Sequence, residues 1–140
     1  MAQLGQDMAA EGAAGAAGAG GLATEHPARG RVVVLNALPL NALPRRHMQL
    51  DVMPIGINDL ASWVQRRLAE GFQLIHYIRH SATIQALRSA GIPLSEPNAG
   101  LYAYQPGDII ATVTLRMPQR GQEVAQVSPQ DLEAWIVTVL

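Results

Sequence analysis

The chain has 140 residues, 49% of them hydrophobic, and a formal net charge of −1 at pH 7. This length suits one domain and is too short for two of ordinary size. The sequence contains no cysteine, so disulfide bonds, thiolate nucleophiles and Cys-ligated zinc are excluded. The nearly balanced charge disfavours binding to long nucleic acid, whereas a small anionic ligand needs only a local basic patch.

The N-terminal residues 1–29 differ in composition from the rest of the chain. They include ten Ala and six Gly, and few large apolar side chains to offset the entropy of ordering them. We therefore predict a flexible leader over 1–29 and a folded domain over 30–140. The sequence has no run of about 18 apolar residues and no basic segment typical of a signal peptide, so we expect a cytoplasmic protein without a membrane partner.

The first half of the folded segment predicts two strands and a helix. Residues 31–36 (RVVVLN) form a β-branched run typical of a buried strand, and residues 49–54 alternate weakly, as in an edge strand. Asn58 or Asp59 is placed to cap the helix, and Gly71 lies where a glycine commonly follows the last turn.

The second half predicts three more strands, at residues 72–80, 108–116 and 135–140. Ser81 is placed to cap a helix that ends at Gly91, and Ser128–Asp131 is a further helix start with proline at its first position. Strands that alternate with helices of about ten residues predict an α/β fold. We expect one small domain, with a mixed sheet flanked by helices.

Several common phosphate- and metal-binding motifs are missing from the sequence. It has no GxGxxG after the first strand, no Walker loop, no GxSxG and no HExxH. The acidic residues are scattered, and no two have the spacing of a carboxylate dyad or of metal ligands. We therefore expect no metal and no cofactor, and chemistry carried by histidine, arginine and hydroxyl groups.

The strongest local signal lies between the predicted strand ending at His80 and the next helix. A helix N-terminus attracts anions, Ser81 and Thr83 add hydroxyls, and His80 adds an imidazole that can transfer a proton. Asn36 and Arg116 end two other predicted strands, so parallel strands would bring all of these residues to one sheet edge, where ligands bind. The alternatives are a strand-end histidine, helix caps, a turn asparagine and a solvated arginine.

Three aromatic or imidazole side chains have their own predictions. His76 faces the same side of its strand as His80 but lies deeper, so we expect a buried, hydrogen-bonded histidine. Tyr102 and Tyr104 could stack on a nucleobase, although such tyrosines more often cover the edge of a core.

The order of these short motifs resembles that of the viral ring nucleases, the type III anti-CRISPR family, which also has cellular members. The matching positions, over about residues 31–140, are Leu35-Asn36, Gly71-Phe72, Ile78 with His80, Thr83, Gly107-Asp108, Arg116 with Pro118, and Asp131-Leu132. The departures are Ala37 for the family's Ser, Arg79 for Gly, Ile84 for Ala and Gln119 for Glu. The chain therefore resembles a divergent member.

The resemblance implies a metal-independent, homodimeric phosphodiesterase that cleaves cyclic tetra-adenylate, the second messenger of type III CRISPR defence. In that reaction the ribose 2′-OH is the nucleophile, His80 would be the general acid, and Arg116 would stabilise the phosphoryl charge. The ligand-binding residues implied are Asn36, Ser81, Thr83 and Gln119. Two alternatives stay open: a non-catalytic module of the same fold that binds a cyclic nucleotide or DNA, and an interaction protein tethered by its leader.

Overall fold

The computed structural model describes residues 29–116 and 127–140. Its main elements are, in chain order, β1 (Arg31–Leu35), β2 (Leu50–Ile55), α1 (Ile57–Ala69), β3 (Gln73–His76), α2 (Ser81–Ser89), β4 (Ile109–Leu115) and β5 (Leu132–Val139). The strands form one five-stranded sheet in the order β2-β5-β4-β1-β3. The predicted α/β fold with a mixed sheet is confirmed, and the predicted leader lies outside the described residues except for Arg29.

The strand directions decide which residues meet at each edge of the sheet. β1 runs parallel to β3 and to β4, whereas β5 runs antiparallel to both β4 and β2. The first four strands therefore point the same way, and they end together at Leu35, Ile55, His76 and Leu115. We call this side of the sheet the carboxyl edge.

The main core lies between one face of the sheet and both helices. Val32 and Val34 of β1 are fully buried there against Leu60 and Val64 of α1 and Leu87 of α2. Leu60 and Val64 are four residues apart and so lie on one side of α1, and burying each of these large side chains contributes about 1.5–3 kcal/mol.

Connecting segments cover the other face of the sheet. Leu43, from the segment after β1, and Tyr102, from the loop before β4, pack on Val33, Ile75 and Ile110. The loop segments on this face form walls of a pocket that is described below.

The predicted starts of the first two helices are wrong by one to three residues. Helix α1 has Gly56 rather than Asn58 or Asp59 at its N-cap, and Leu60 donates its N–H to the Gly56 carbonyl over 2.8 Å. Helix α2 begins at Ser81 itself, with His80 as its N-cap. The predicted helix ends are confirmed, since Gly71 and Gly91 follow the last turns with φ of 100° and 103°.

Two further predictions differ from the structure near strand ends. The strand predicted over 72–80 stops at His76, because its neighbour β1 ends at Leu35 and the last bond between the two runs from the Tyr77 amide to the Val34 carbonyl. The helix predicted at Ser128–Asp131 is a single 3-10 turn with a capping box. The chain then extends at once, so β5 begins at Leu132, which pairs with Leu115.

Candidate functional site

Three polar residues follow parallel strands at the carboxyl edge. Asn36 comes directly after β1, Arg116 directly after β4, and His80 four residues after the end of β3. All three are exposed. The parallel strands required for a shared edge are therefore present, with β1 between β4 and β3.

The strand register places Arg116 further out than Asn36. Leu35 pairs with Thr112, so Asn36 lies level with Val113. Arg116 follows three residues later, about 10 Å further along the strand direction. A ligand that touches both residues must therefore extend outward along β4 from the end of β1.

His80 is held by one nitrogen of its ring. Its Nδ1 lies 2.8 Å from the Thr83 hydroxyl oxygen, one turn into α2. The Thr83 side chain is buried, whereas the imidazole is exposed. Since Nδ1 is engaged with Thr83, Nε2 is the ring nitrogen directed away from the helix and available to a ligand.

Two more residues of the predicted site have different positions. Ser81 is the first residue of α2 and is exposed, so its hydroxyl accompanies the free amides of the helix N-terminus. Gln119 lies outside the described residues, as does the segment from 117 to 126 that contains it.

Arg116 has an acidic neighbour that the sequence motifs do not indicate. Its Nε lies 3.9 Å from a carboxylate oxygen of Glu133 on β5, and both side chains are about half exposed. Its backbone N–H donates to the Asp131 carbonyl over 2.7 Å. A long, exposed ion pair of this kind contributes little to stability, so the guanidinium is free to turn to an anionic ligand.

A pocket of about 510 Å³ opens beside Asn36 at the carboxyl edge. The segment after β1 forms one wall and the loop before β4 forms the other; among the lining residues are Asn36, Asn41, Tyr77, Arg79, Leu101 and Tyr102. A volume of this size is typical of small-molecule sites. His80 and Arg116 do not line it.

The sequence motifs give no hint of Tyr77 and Arg79 as pocket residues. The rings of Tyr77 and Tyr102 pack with centroids 5.7 Å apart, and Arg79 donates to the Asn98 carbonyl over 3.0 Å. The strand alternation that places Tyr77 and Arg79 on one side was the available signal. In the sequence, Arg79 is notable only as a departure from the glycine in the ring-nuclease motif that the chain resembles.

Tyr102 both covers the core and lines the pocket, and its hydroxyl is hydrogen-bonded to a buried carboxylate. It donates to Asp108 over 2.7 Å, and that carboxylate also accepts bonds from Arg31 Nε at 2.8 Å, Arg31 Nη2 at 2.7 Å and the Gln105 amide at 2.9 Å. Burial acts to raise the pKa of Asp108, but these bonds outweigh it and hold the pKa below its usual value. Burial and the bond to Asp108 raise the pKa of Tyr102 well above its usual value.

His76 is fully buried and hydrogen-bonded, as predicted. Within residues 29–116 and 127–140, no group of three or more His, Asp or Glu side chains is placed to hold a metal ion. Over the same part of the chain, neither helix is long and apolar enough to cross a membrane.

Comparison with known proteins shows a likeness of fold. No protein-family model matches this sequence, and no curated protein sequence matches it. Among solved structures, the chain is similar to B116 of Sulfolobus turreted icosahedral virus, with a TM-score of 0.60 and 18% identity, covering 76% of this chain and 97% of that chain. At this identity the likeness establishes that the two proteins share a fold.

Proposed function

We propose that this chain is a metal-independent phosphodiesterase that opens cyclic tetra-adenylate. The observation that carries the proposal is the position of His80. Its ring is held through Nδ1 by Thr83 at the start of α2, and it lies on the sheet edge that also bears Asn36 and Arg116. An acid, an anion-binding helix start and an arginine are the groups that phosphodiester cleavage by an internal nucleophile requires.

His80 is suited to the role of general acid. When the imidazole is charged, Nδ1–H donates to the Thr83 hydroxyl and Nε2–H is free to give its proton to the leaving 5′ oxygen. The ribose 2′ oxygen attacks phosphorus as the bond to the 5′ oxygen breaks, and the 2′-OH proton passes to solvent. The product end is a 2′,3′-cyclic phosphate. Thr83 thus orients the acid instead of binding the ligand directly.

Groups at the same edge stabilise the charge on the phosphoryl oxygens. The first amides of α2 and the Ser81 hydroxyl offer donors to one phosphate. Arg116 can replace its 3.9 Å contact with Glu133 by a short bond to phosphate, since the existing pair is long and exposed. The rest of the rate enhancement comes from holding the 2′ oxygen in line with the leaving group.

The adjoining pocket is suited to a nucleobase. Tyr77, which packs on the buried Tyr102, provides aromatic surface for stacking, and Asn36 and Arg79 provide donors at the rim. A ring of four nucleotides exceeds one pocket of about 510 Å³, so a homodimer with two facing pockets fits a two-fold symmetric ligand. The expected molar mass in solution is twice the chain mass of 15.0 kDa.

One observation favours a second candidate, a module that binds the cyclic nucleotide, or DNA, without cutting it. The pocket walls include Asn36 and Arg79, whereas His80 and Arg116 lie outside them. Ligand could therefore be captured without reaching the acid. Product that accumulates well beyond one equivalent per site would favour the enzyme, and stoichiometric capture of intact ligand would favour the module.

The deciding experiment is incubation of the pure protein with cyclic tetra-adenylate in excess EDTA, followed by analysis of the products. We expect linear products that end in 2′,3′-cyclic phosphate, because the nucleophile belongs to the substrate. Activity that disappears with EDTA and returns with manganese would contradict the mechanism. Products that carry only 5′-phosphate ends would show that water attacks instead.

A further inference from the structure

The buried ring of His76 is connected through both of its nitrogens. Nε2 lies 2.6 Å from the Ser95 carbonyl oxygen, and Nδ1 lies 3.3 Å from the Ile78 amide nitrogen. A carbonyl only accepts and an amide N–H only donates, so the partners assign the proton to Nε2 and the lone pair to Nδ1. A neutral imidazole in this one tautomer satisfies both contacts.

The bond to Ile78 lies in the turn that follows β3. The Tyr77 amide still donates to the Val34 carbonyl of β1 over 3.2 Å, as a continuing strand would. The Ile78 amide, on the side of β3 that has no neighbouring strand, donates to the ring two residues earlier, and the Ile78 side chain is fully buried. The next two residues are Arg79, which lines the pocket, and His80, which caps α2.

His76 also connects this turn to the loop that follows α2 through hydrogen bonds. The His76 carbonyl accepts the Asn98 amide over 2.8 Å, and the Asn98 carbonyl accepts a bond from Arg79 over 3.0 Å. Together with the bond to Ser95, these contacts join residues 76–79 to the loop after α2. The turn thus has a defined geometry in which the His76 ring is the central buried group.

We propose that His76 is a positioning residue of the candidate site. Its neutral imidazole fixes the turn between β3 and α2, and so sets Arg79 at the pocket and His80 at the start of the helix. The effect on cleavage rests on the proposed function, whereas the effect on the turn does not.

Two substitutions separate the two bonds of the ring. In His76→Asn the side-chain oxygen takes the place of Nδ1 and can still accept from Ile78, but nothing reaches Ser95. In His76→Gln the amide nitrogen takes the place of Nε2 and can still donate to Ser95, but the acceptor for Ile78 is lost. Each variant removes one buried hydrogen bond, so similar melting temperatures are expected for the pair.

We expect the Gln variant to lose positioning and the Asn variant to keep it. Exchange of the Ile78 amide proton, followed by NMR, should be at least about tenfold faster in His76→Gln than in His76→Asn, because only the latter retains the acceptor. The single-turnover rate of cyclic tetra-adenylate cleavage should fall at least about tenfold in His76→Gln and stay within about threefold of the original in His76→Asn.

Arg88→Gln is the matched control. Arg88 donates to the Leu94 and Ser95 carbonyls from the exposed side of the same loop, at 2.9 and 3.4 Å, without touching Ile78. It should loosen the loop and leave both Ile78 exchange and the cleavage rate nearly unchanged.

Equal Ile78 exchange in the two His76 variants, or equal cleavage rates, would overturn the proposal. If the unsubstituted protein cleaves nothing, the proposed function fails and the exchange comparison alone decides the role of His76. If neither variant folds, the nitrogen chemical shifts of His76 in the unsubstituted protein decide it, since a proton on Nδ1 rules out the bond from Ile78.

Discussion

Tyr102 donates its phenolic O–H to the buried carboxylate of Asp108 over 2.7 Å, while its ring forms part of the pocket wall. Asp108 also holds the guanidinium of Arg31 at the start of β1. This chain of bonds joins the edge of the sheet opposite the carboxyl edge to the wall of the candidate site. The position of Tyr102 in the pocket therefore depends on its bond to one buried carboxyl group.

The first prediction concerns that carboxylate and pH. The pKa of Asp108 is lower in the folded protein than in the unfolded chain, so the stability it contributes is fully present above the unfolded pKa of about 3.9 and is lost as pH falls through the lower folded pKa. We expect Asp108→Asn to reduce the free energy of unfolding at pH 7 by about 3 kcal/mol, and by less at pH 3. Urea unfolding at both values of pH measures the difference.

Two further variants serve as controls for Asp108. Tyr102→Phe keeps the ring and removes one bond to the carboxylate, so it should cost about 1 kcal/mol at pH 7. Asp51→Asn changes an exposed carboxylate on β2 and should be within about 0.5 kcal/mol of the original protein at either pH. If Asp108→Asn and Asp51→Asn show the same pH profile, the ion pair with Arg31 does not contribute as described.

The second prediction concerns the close approach of Gly30 to Gly107. A Cβ at residue 30 would lie 2.3 Å from the Gly107 carbonyl oxygen, and the backbone there has a φ of 156°. Gly30→Ala must therefore displace backbone, and we expect a loss of about 2–3 kcal/mol in the free energy of unfolding. The matched control is Gly56→Ala, where the nearest atom would be 3.8 Å away and the expected loss is below about 1 kcal/mol. Equal losses of unfolding free energy in the two variants would show that the backbone at the starts of β1 and β4 adjusts freely to the added Cβ.

The fold could be predicted from sequence where side-chain burial alone decides the structure. The runs at residues 31–36 and 108–116 are β-branched and form β1 and β4, buried on both faces at the middle of the sheet. The end of β3 could not be predicted from alternation, because it depends on where the neighbouring strand β1 ends.

The candidate site could be predicted only in the part that follows strand direction. Parallel strands bring Asn36 and Arg116 to one edge, and the motif order points to His80. The pocket could not be predicted, since its second wall is a loop held by bonds between residues distant in sequence. Arg31 and Asp108, for example, are 77 residues apart.

The third prediction concerns the N-terminal segment. Its Ala- and Gly-rich composition offers little apolar area to bury, so removal of residues 1–28 should shift the melting temperature by less than about 2 °C and leave ligand binding unchanged. Arg29 is kept because its amide donates to the Gly71 carbonyl over 3.3 Å. A loss of several degrees in the truncated protein would show that the segment packs on the domain.

The last prediction concerns His80 and Arg116, and it separates an acid from an anion-binding group. If His80 protonates the leaving oxygen, His80→Ala should lower the single-turnover rate at least about 10²-fold with little change in the dissociation constant for cyclic tetra-adenylate. Arg116→Ala should weaken both rate and binding, since a contact with phosphate acts before and during the reaction.

The control is His47→Ala, at an exposed histidine outside the site; its cleavage rate and dissociation constant should match those of the original protein. The single-turnover rate of Thr83→Val should lie between those of His80→Ala and the original protein, because this change removes the hydroxyl 2.8 Å from Nδ1 and leaves the imidazole in place. A His80→Ala protein that cleaves at the original rate would remove His80 from the mechanism, whatever the effect of Arg116.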